Sequence, residues 1–200
     1  HISSKGLGML PWTDGLRQWQ ARIELVRSVL HDPSWPDLSD AHLIETLSQW
    51  LLPYLDSVTT PEGFRKIDLA TILQSLLTWE QKTSLDEFAP VRIRVPSGAN
   101  ISIDYQQSPP VLAVKLQEMF GCETTPTIAR GNVKLLVHLL SPAGRPLQVT
   151  QDLAGFWRTS YHDVKKDMKG RYPKHPWPED PLAATASAKT KKKQAVIDSG

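Results

Sequence analysis

Apolar residues recur at two different periods along the chain, and the change falls near Pro90. In the first stretch Leu16, Trp19, Ile23, Val26 and Leu30 follow one another at three- and four-residue steps, one apolar stripe of a helix. Thr13 or Asp14 can take the orphan N–H groups at its start, and Asp32-Pro33 stops it. Ser39 caps a second predicted helix with Leu43, Ile44, Leu47, Trp50 and Leu51 inward, ended by Pro53. Thr60-Pro61-Glu62-Gly63 reads as a loop, Ile67 to Trp79 as a third helix, and Ser84 to Phe88 as a short fourth. Five tryptophans lie among these Leu and Ile positions, where packing into a core is the expected role.

After Pro90 the period shortens to two. Val91, Ile93 and Val95 alternate with Arg92 and Arg94, Pro96-Ser97-Gly98-Ala99-Asn100 turns the chain, and Ile101, Ile103 and Tyr105 alternate again, predicting a hairpin. Pro109-Pro110 leads into a predicted helix over Val111 to Phe120, with Gly121 at its C′ position. Strands follow over 127–130 and 133–140 around Gly131-Asn132, and over 147–150 beyond Ser141-Pro142-Ala143-Gly144. Asp152 to Lys169 predicts one helix closed by Gly170. Four prolines between Arg171 and Pro181 predict an extended arm laid across a surface. From Leu182 onward Ala, Ser, Thr and Lys dominate, and a disordered tail is expected over 182–200. The fold class is therefore α+β: a helical module over 10–89, then a β-rich module over 90–181.

The chain has 200 residues and a formal net charge of +2. That balance conceals an uneven distribution. Residues 1–88 carry 7 basic and 12 acidic side chains, and residues 89–200 carry 16 and 9. A polyanion is a natural partner for the basic half, although two neighbouring modules attracting each other would give the same asymmetry. One cysteine, Cys122, excludes a disulfide framework and any zinc site needing two thiolates. There is no run of 18 apolar residues to span a membrane. The opening His1-Ile2-Ser3-Ser4-Lys5 has neither a signal-peptide core nor an initiator Met. A cytoplasmic location and a piece of a longer chain are the resulting expectations.

Catalytic motifs are missing. The chain contains no Gly-Lys dipeptide and hence no phosphate-cradling P-loop, and no Gly-x-Ser-x-Gly elbow. Its six histidines show no His-x-x-x-His spacing, so no metal site is expected. His138, within an apolar strand, fits a structural role, and Cys122, just after a predicted helix C-terminus, is poorly placed for a nucleophile.

The positive signal lies near the C-terminus. On a helix from Asp152, Trp157, Tyr161, Val164 and Met168 form one apolar stripe, with Arg158, His162, Lys165 and Lys169 about 100° around the axis and Lys166 beside them. Arg171, Tyr172, Lys174, His175 and Trp177 follow directly. Such a track offers cations to a phosphate backbone and aromatic faces to unstacked bases. The candidate contacts are Arg158, Lys165, Lys166, Lys169, Arg171 and Lys174 for phosphates, with Tyr172 and Trp177 for stacking. A solvated lysine face, with Tyr172 and Trp177 pinning a proline-rich arm to the core, accounts for the same residues.

The run Leu135-Leu136-Val137-His138-Leu139-Leu140-Ser141-Pro142-Ala143-Gly144-Arg145-Pro146-Leu147-Gln148-Val149-Thr150-Gln151-Asp152-Leu153 resembles the C-terminal region of the HrpB-type DEAH-box ATP-dependent RNA helicases of bacteria. So do Phe156-Trp157-Arg158 and Gly170-Arg171-Tyr172-Pro173-Lys174-His175-Pro176-Trp177-Pro178-Glu179-Asp180-Pro181. The hairpin Val95-Pro96-Ser97-Gly98…Ile103-Asp104-Tyr105 and the opening Gly6-Leu7-Gly8…Leu10-Pro11-Trp12-Thr13 are similar to the same family. The resemblance implies an accessory region of a helicase whose ATP and Mg site lies in motor domains absent from this sequence. No catalytic residue carries over, and Asp86-Glu87-Phe88-Ala89 is only a partial echo of the Asp-Glu-Ala-His box. The implied partners are single-stranded RNA or DNA and the helicase's own motor domains. By analogy with related helicases the β-rich module is expected to be a small barrel, an OB-like one among the possibilities. The second functional reading is a structural module docked on the motor lobes or on a protein partner.

Overall fold

The acidic stretch folds as a run of capped helices in a computed structural model, which describes residues 7–55, 58 and 60–190. The chain divides into two units, His1–Ala89 and Pro90–Gly200.

Unit 1 begins with α1 (Asp14–Leu30), for which Thr13 accepts a hydrogen bond from the Leu16 amide. The predicted second helix bends at Thr46 into α2 (Asp40–Glu45), capped by Ser39, and α3 (Leu47–Trp50). At the bend the Thr46 hydroxyl donates to the His42 carbonyl, a local bond that competes with the helical ladder. Thr60 caps a helical turn, α4 (Pro61–Phe64), in the stretch read as a loop. The third helix is shorter than predicted, α5 (Leu69–Gln74). Its expected last residue, Trp79, instead opens α6 (Trp79–Phe88), where Thr78 and Gln81 form a reciprocal capping box. Ile23, Val26, Leu38, Leu43, Leu51, Leu69 and Leu73 form the core. Trp35 and Trp50 join it as expected, but Trp79 is 74% exposed.

Polar side chains on α1 tie this unit together. The buried Arg22 guanidinium donates to the Ala89 carbonyl at 2.6 Å and pairs with Asp86. Gln20 donates to the Leu38 carbonyl at 2.6 Å, and Glu24 accepts from the Leu38 amide at 2.7 Å. Burial pushes the Glu24 carboxyl above its ordinary pKa.

Unit 2 is built on an open mixed sheet. The hairpin forms as predicted from β1 (Arg92–Arg94) and β2 (Asn100–Asp104), with Gly98 at φ +85° in its turn. The predicted helix over 111–120 is instead β3 (Val111–Lys115) followed by a single 3₁₀ turn, Leu116–Met119. β-Branched Val111 and Val114 suit the pleat, and parallel pairing to a distant strand overrides the helical pattern. A small hairpin of β4 (Thr127–Ile128) and β5 (Val133–Lys134) precedes β6 (Leu136–Leu140) and β7 (Pro146–Thr150). The sheet order is β1-β2-β3-β6-β7, with β3 and β6 parallel and the other pairs antiparallel. Among the described residues β1 and β7 do not meet, so the sheet does not close into the expected barrel.

The predicted C-terminal helix is broken into α7 (Leu153–Arg158), capped by Asp152, and α8 (Tyr161–Arg171). At the break Thr159 donates its hydroxyl to the Gly155 carbonyl, a local bond that a sequence periodicity does not register. The inner face of the sheet carries Ile103, Leu112, Val114, Val137 and Leu139, all buried. Phe120, Phe156, Trp157 and Tyr161 form a buried aromatic cluster with ring centroids 5.1–6.4 Å apart.

Residues 172–181 contain neither helix nor strand. The tail expected to be disordered from 182 is tied back at Ser187, whose amide donates to the Gln117 carbonyl at 3.0 Å and whose hydroxyl accepts from the Lys189 amide at 3.0 Å. The lysine-rich end, 191–200, lies outside the described residues.

Candidate nucleic-acid interface

Helix α8 is held by its inner face. Tyr161 and Met168 are buried, and the Tyr161 hydroxyl donates to the Pro178 carbonyl at 2.9 Å. Burial, with a smaller contribution from the Glu179 carboxylate, pushes that phenol well above its ordinary pKa, so it stays a neutral donor. Trp157, at the end of α7, donates to the Cys122 carbonyl at 2.7 Å. Burial likewise raises the Cys122 thiol, in keeping with a cysteine that is not a nucleophile.

The cations predicted to form a track take different places. Arg158, Lys166, Lys169 and Lys174 are exposed. Lys166 and Lys169 stand three residues apart, neighbours on the outer surface of α8. The Lys165 side chain is only 12% exposed and pairs with Glu179 at 2.5 Å. That hydrogen bond, and then the lysine's charge, hold the Glu179 carboxyl below its ordinary pKa. Arg171 pairs with Asp167 at 3.2 Å along the helix, both side chains well exposed.

The two aromatic candidates part company as well. Tyr172 is half-buried and meets His175 edge-on at 6.4 Å between ring centroids. Trp177 is 7% exposed, and its indole N–H donates to the Tyr172 carbonyl at 3.0 Å. This burial leaves no ring face open to a base, which corrects the stacking role expected for Trp177. Trp177 is instead a buried pin within the segment 172–181.

Sequence reasoning overlooked what this segment is pinned to. Gln117, fully buried, donates to the Pro176 carbonyl at 3.1 Å, and the Gly121 amide donates to the Pro181 carbonyl at 2.9 Å. A polar residue inside Leu116-Gln117-Glu118-Met119 was the available signal, masked there by the expectation of an amphipathic helix. Among the described residues no group of three His, Cys, Asp or Glu side chains could hold a metal, and no helix is long and apolar enough to cross a membrane.

Comparison with known proteins gives this arrangement a context. The ATP-dependent RNA helicase HrpB of Escherichia coli K12 is 44% identical over 192 residues, covering 96% of this chain and 24% of that protein. A crystal structure of the E. coli DExH-box NTPase HrpB superposes with a TM-score of 0.84 at 44% identity, covering 94% of this chain and 24% of that one. A second, of the E. coli DEAH/RHA helicase HrpB, gives 0.70 at 43% identity, covering 88% and 22%. The chain thus spans about a quarter of the length of these relatives. The family model for the ATP-dependent helicase C-terminal region of HrpB matches residues 50–181, and the chain belongs to that family.

Proposed function

We propose that this chain is the accessory C-terminal region of an ATP-dependent RNA helicase and holds single-stranded RNA by phosphate contacts. The carrying observation is the outer surface of α8. Lys166 and Lys169 are exposed there, with Arg158 and Lys174 exposed on the flanking segments, while the inner face is anchored by Tyr161 and Met168. Lys165 and Arg171 join only by exchanging Glu179 and Asp167 for phosphate, and Tyr172 is the single aromatic contact retained. ATP and Mg²⁺ belong, in this reading, to the motor: the chain has no Gly-Lys dipeptide with which to form a P-loop.

The test is the affinity of this chain for labelled single-stranded RNA across a salt series. Four phosphate contacts give a log–log slope of about −3 by counterion release from a single strand. Replacing Lys166 and Lys169 by Glu should weaken binding about tenfold or more at low salt and flatten the slope. Unchanged binding by that double variant refutes the site.

Docking on the motor lobes is the second reading. Trp79, Leu52 and Tyr54 in unit 1 are large exposed apolar side chains, and Trp177 is already occupied by its own unit. Substituting Trp79 by Ser in the complete helicase and measuring its ATPase rate separates this reading from the first.

A further inference from the structure

The strand register of unit 2 assembles a surface that no periodicity reveals. On β1, Arg92 stands against Ser102 and Arg94 against Asn100 of β2. β2 pairs with β3 at Ile103–Leu112 and Asp104–Val111, and strand alternation about the inward Ile103 and Leu112 turns Ser102 and Asn100, like Ala113 and Lys115, to the outward face. Ala113 stands against His138 and Lys115 against Leu140 on β6. His138 meets Val149 and Leu140 meets Pro146 on β7. On the face opposite the core two rows run over β3, β6 and β7, Ala113-His138-Val149 and, across a register shift after Leu139, Lys115-Leu140-Pro146, with the pairs Arg92-Ser102 and Arg94-Asn100 facing the same way on β1 and β2. Four inter-strand steps make the five-stranded face about 19 Å wide.

The composition of this face is unlike that of a sheet awaiting a helix. Arg92, Arg94, Asn100, Ser102, Ala113, Pro146 and Val149 are exposed, and Lys115, His138 and Leu140 are half-buried. Three cations lie in these rows and pairs, and Asp104, one position beyond them, is the acidic residue on this face. The exposed Ala113 leaves a low floor at the start of the first row, beside its partner His138 on β6. It is at Lys115 that the second row comes near the segment 172–181. Lys115 acts on His175, whose pKa is lowered first by burial and then by that lysine's charge. His175 follows the exposed Lys174 directly.

We infer that this outer sheet face is a second contact surface for single-stranded RNA, with Arg92, Arg94 and Lys115 taking phosphates and a base lying over Ala113 against His138. Charge complementarity selects a polyanion over an apolar partner, and the low floor beside an aromatic ring suits an unstacked base rather than a duplex groove. The inference rests on the proposal that the chain binds RNA and extends it from α8 to the sheet.

The experiment titrates labelled oligouridylate into this chain and three variants: R92E/R94E, A113E and K166E/K169E. Each changes exposed side chains, and matching thermal midpoints verify folding. R92E/R94E and A113E should each weaken binding about tenfold, and the Ala113 methyl resonance should shift on titration of the unmodified chain. If both sheet variants bind like the parent while K166E/K169E is weakened, the sheet surface is refuted and the α8 site stands. Loss in the sheet variants alone supports the sheet and removes the α8 site. An unmodified chain that does not bind RNA at all overturns both.

Discussion

The two units close their cores with different chemistry. In unit 1, a unit with excess acidic residues, a buried cation makes the long connection: Arg22 on α1 reaches the Ala89 carbonyl 67 residues away. In unit 2, a unit with excess basic residues, neutral donors do the same work. Gln117 reaches Pro176, Trp157 reaches Cys122 and Tyr161 reaches Pro178, with Trp177 bonded locally to Tyr172 and Lys165–Glu179 as the charged tie beside them. The difference teaches where charge is available. A neutral donor to a backbone carbonyl avoids the desolvation that a buried ion incurs. In unit 2 this leaves Lys166, Lys169 and Lys174, like Arg92 and Arg94, exposed at the surface.

The sharpest way to break this comparison is to remove a neutral closure. Trp177→Ala deletes a buried indole and its hydrogen bond, and should cost on the order of 3–5 kcal/mol in unit 2. Denaturant unfolding followed by circular dichroism should show that unit's transition moving while unit 1 stays in place. An unmoved transition would mean that the pin carries no weight. Arg22→Met tests the charged closure. Its partner Asp86 is largely exposed and stays hydrated, so the cost comes mainly from the orphaned Ala89 carbonyl and should be about 1–3 kcal/mol. Unfolding of unit 1 should shift by that amount at both low and high salt. A strongly salt-dependent shift would show that the ion pair, rather than the carbonyl, dominates.

The smallest effect concerns pH. His175 has a folded pKa below its ordinary value of about 6.5, so folding favours its neutral form. The stability this contributes is fully present above about pH 6.5 and is lost as pH falls through the lowered folded value. Unit 2 should therefore lose thermal stability on acidification more steeply than its His175→Asn variant. Parallel profiles would remove the titration from the account.

Legibility in the sequence followed the distance over which each interaction acts. The caps at Thr13 and Ser39, the hairpin about Gly98 and the helix stop just before Asp32-Pro33 are decided within a few residues, and the pattern located them. Val111–Lys115 was misread because its partner, Leu136–Leu140, is more than twenty residues away and the pairing is parallel. The break at Thr159 was missed because a side-chain bond to Gly155 outweighs an apolar stripe that continues across it. Of the candidate site, the exposed lysines on α8 were legible as composition. The pairing of Lys165 with Glu179 and the burial of Trp177 were not, since both depend on the segment 172–181 folding back.

That folding back has a consequence for synthesis. The Gln117 side chain waits 59 residues for the Pro176 carbonyl, and its own carbonyl waits longer still for the Ser187 amide. At translation speeds of roughly 5–20 residues per second, several seconds pass between the emergence of the sheet and the arrival of Trp177. Unit 1 ends at Ala89 and can complete its core while still tethered to the ribosome. Unit 2 waits longer: until residues 176–187 emerge, Gln117 and Tyr161 lack the backbone partners they have in the folded unit, and any stop codon before Trp177 leaves them in that state.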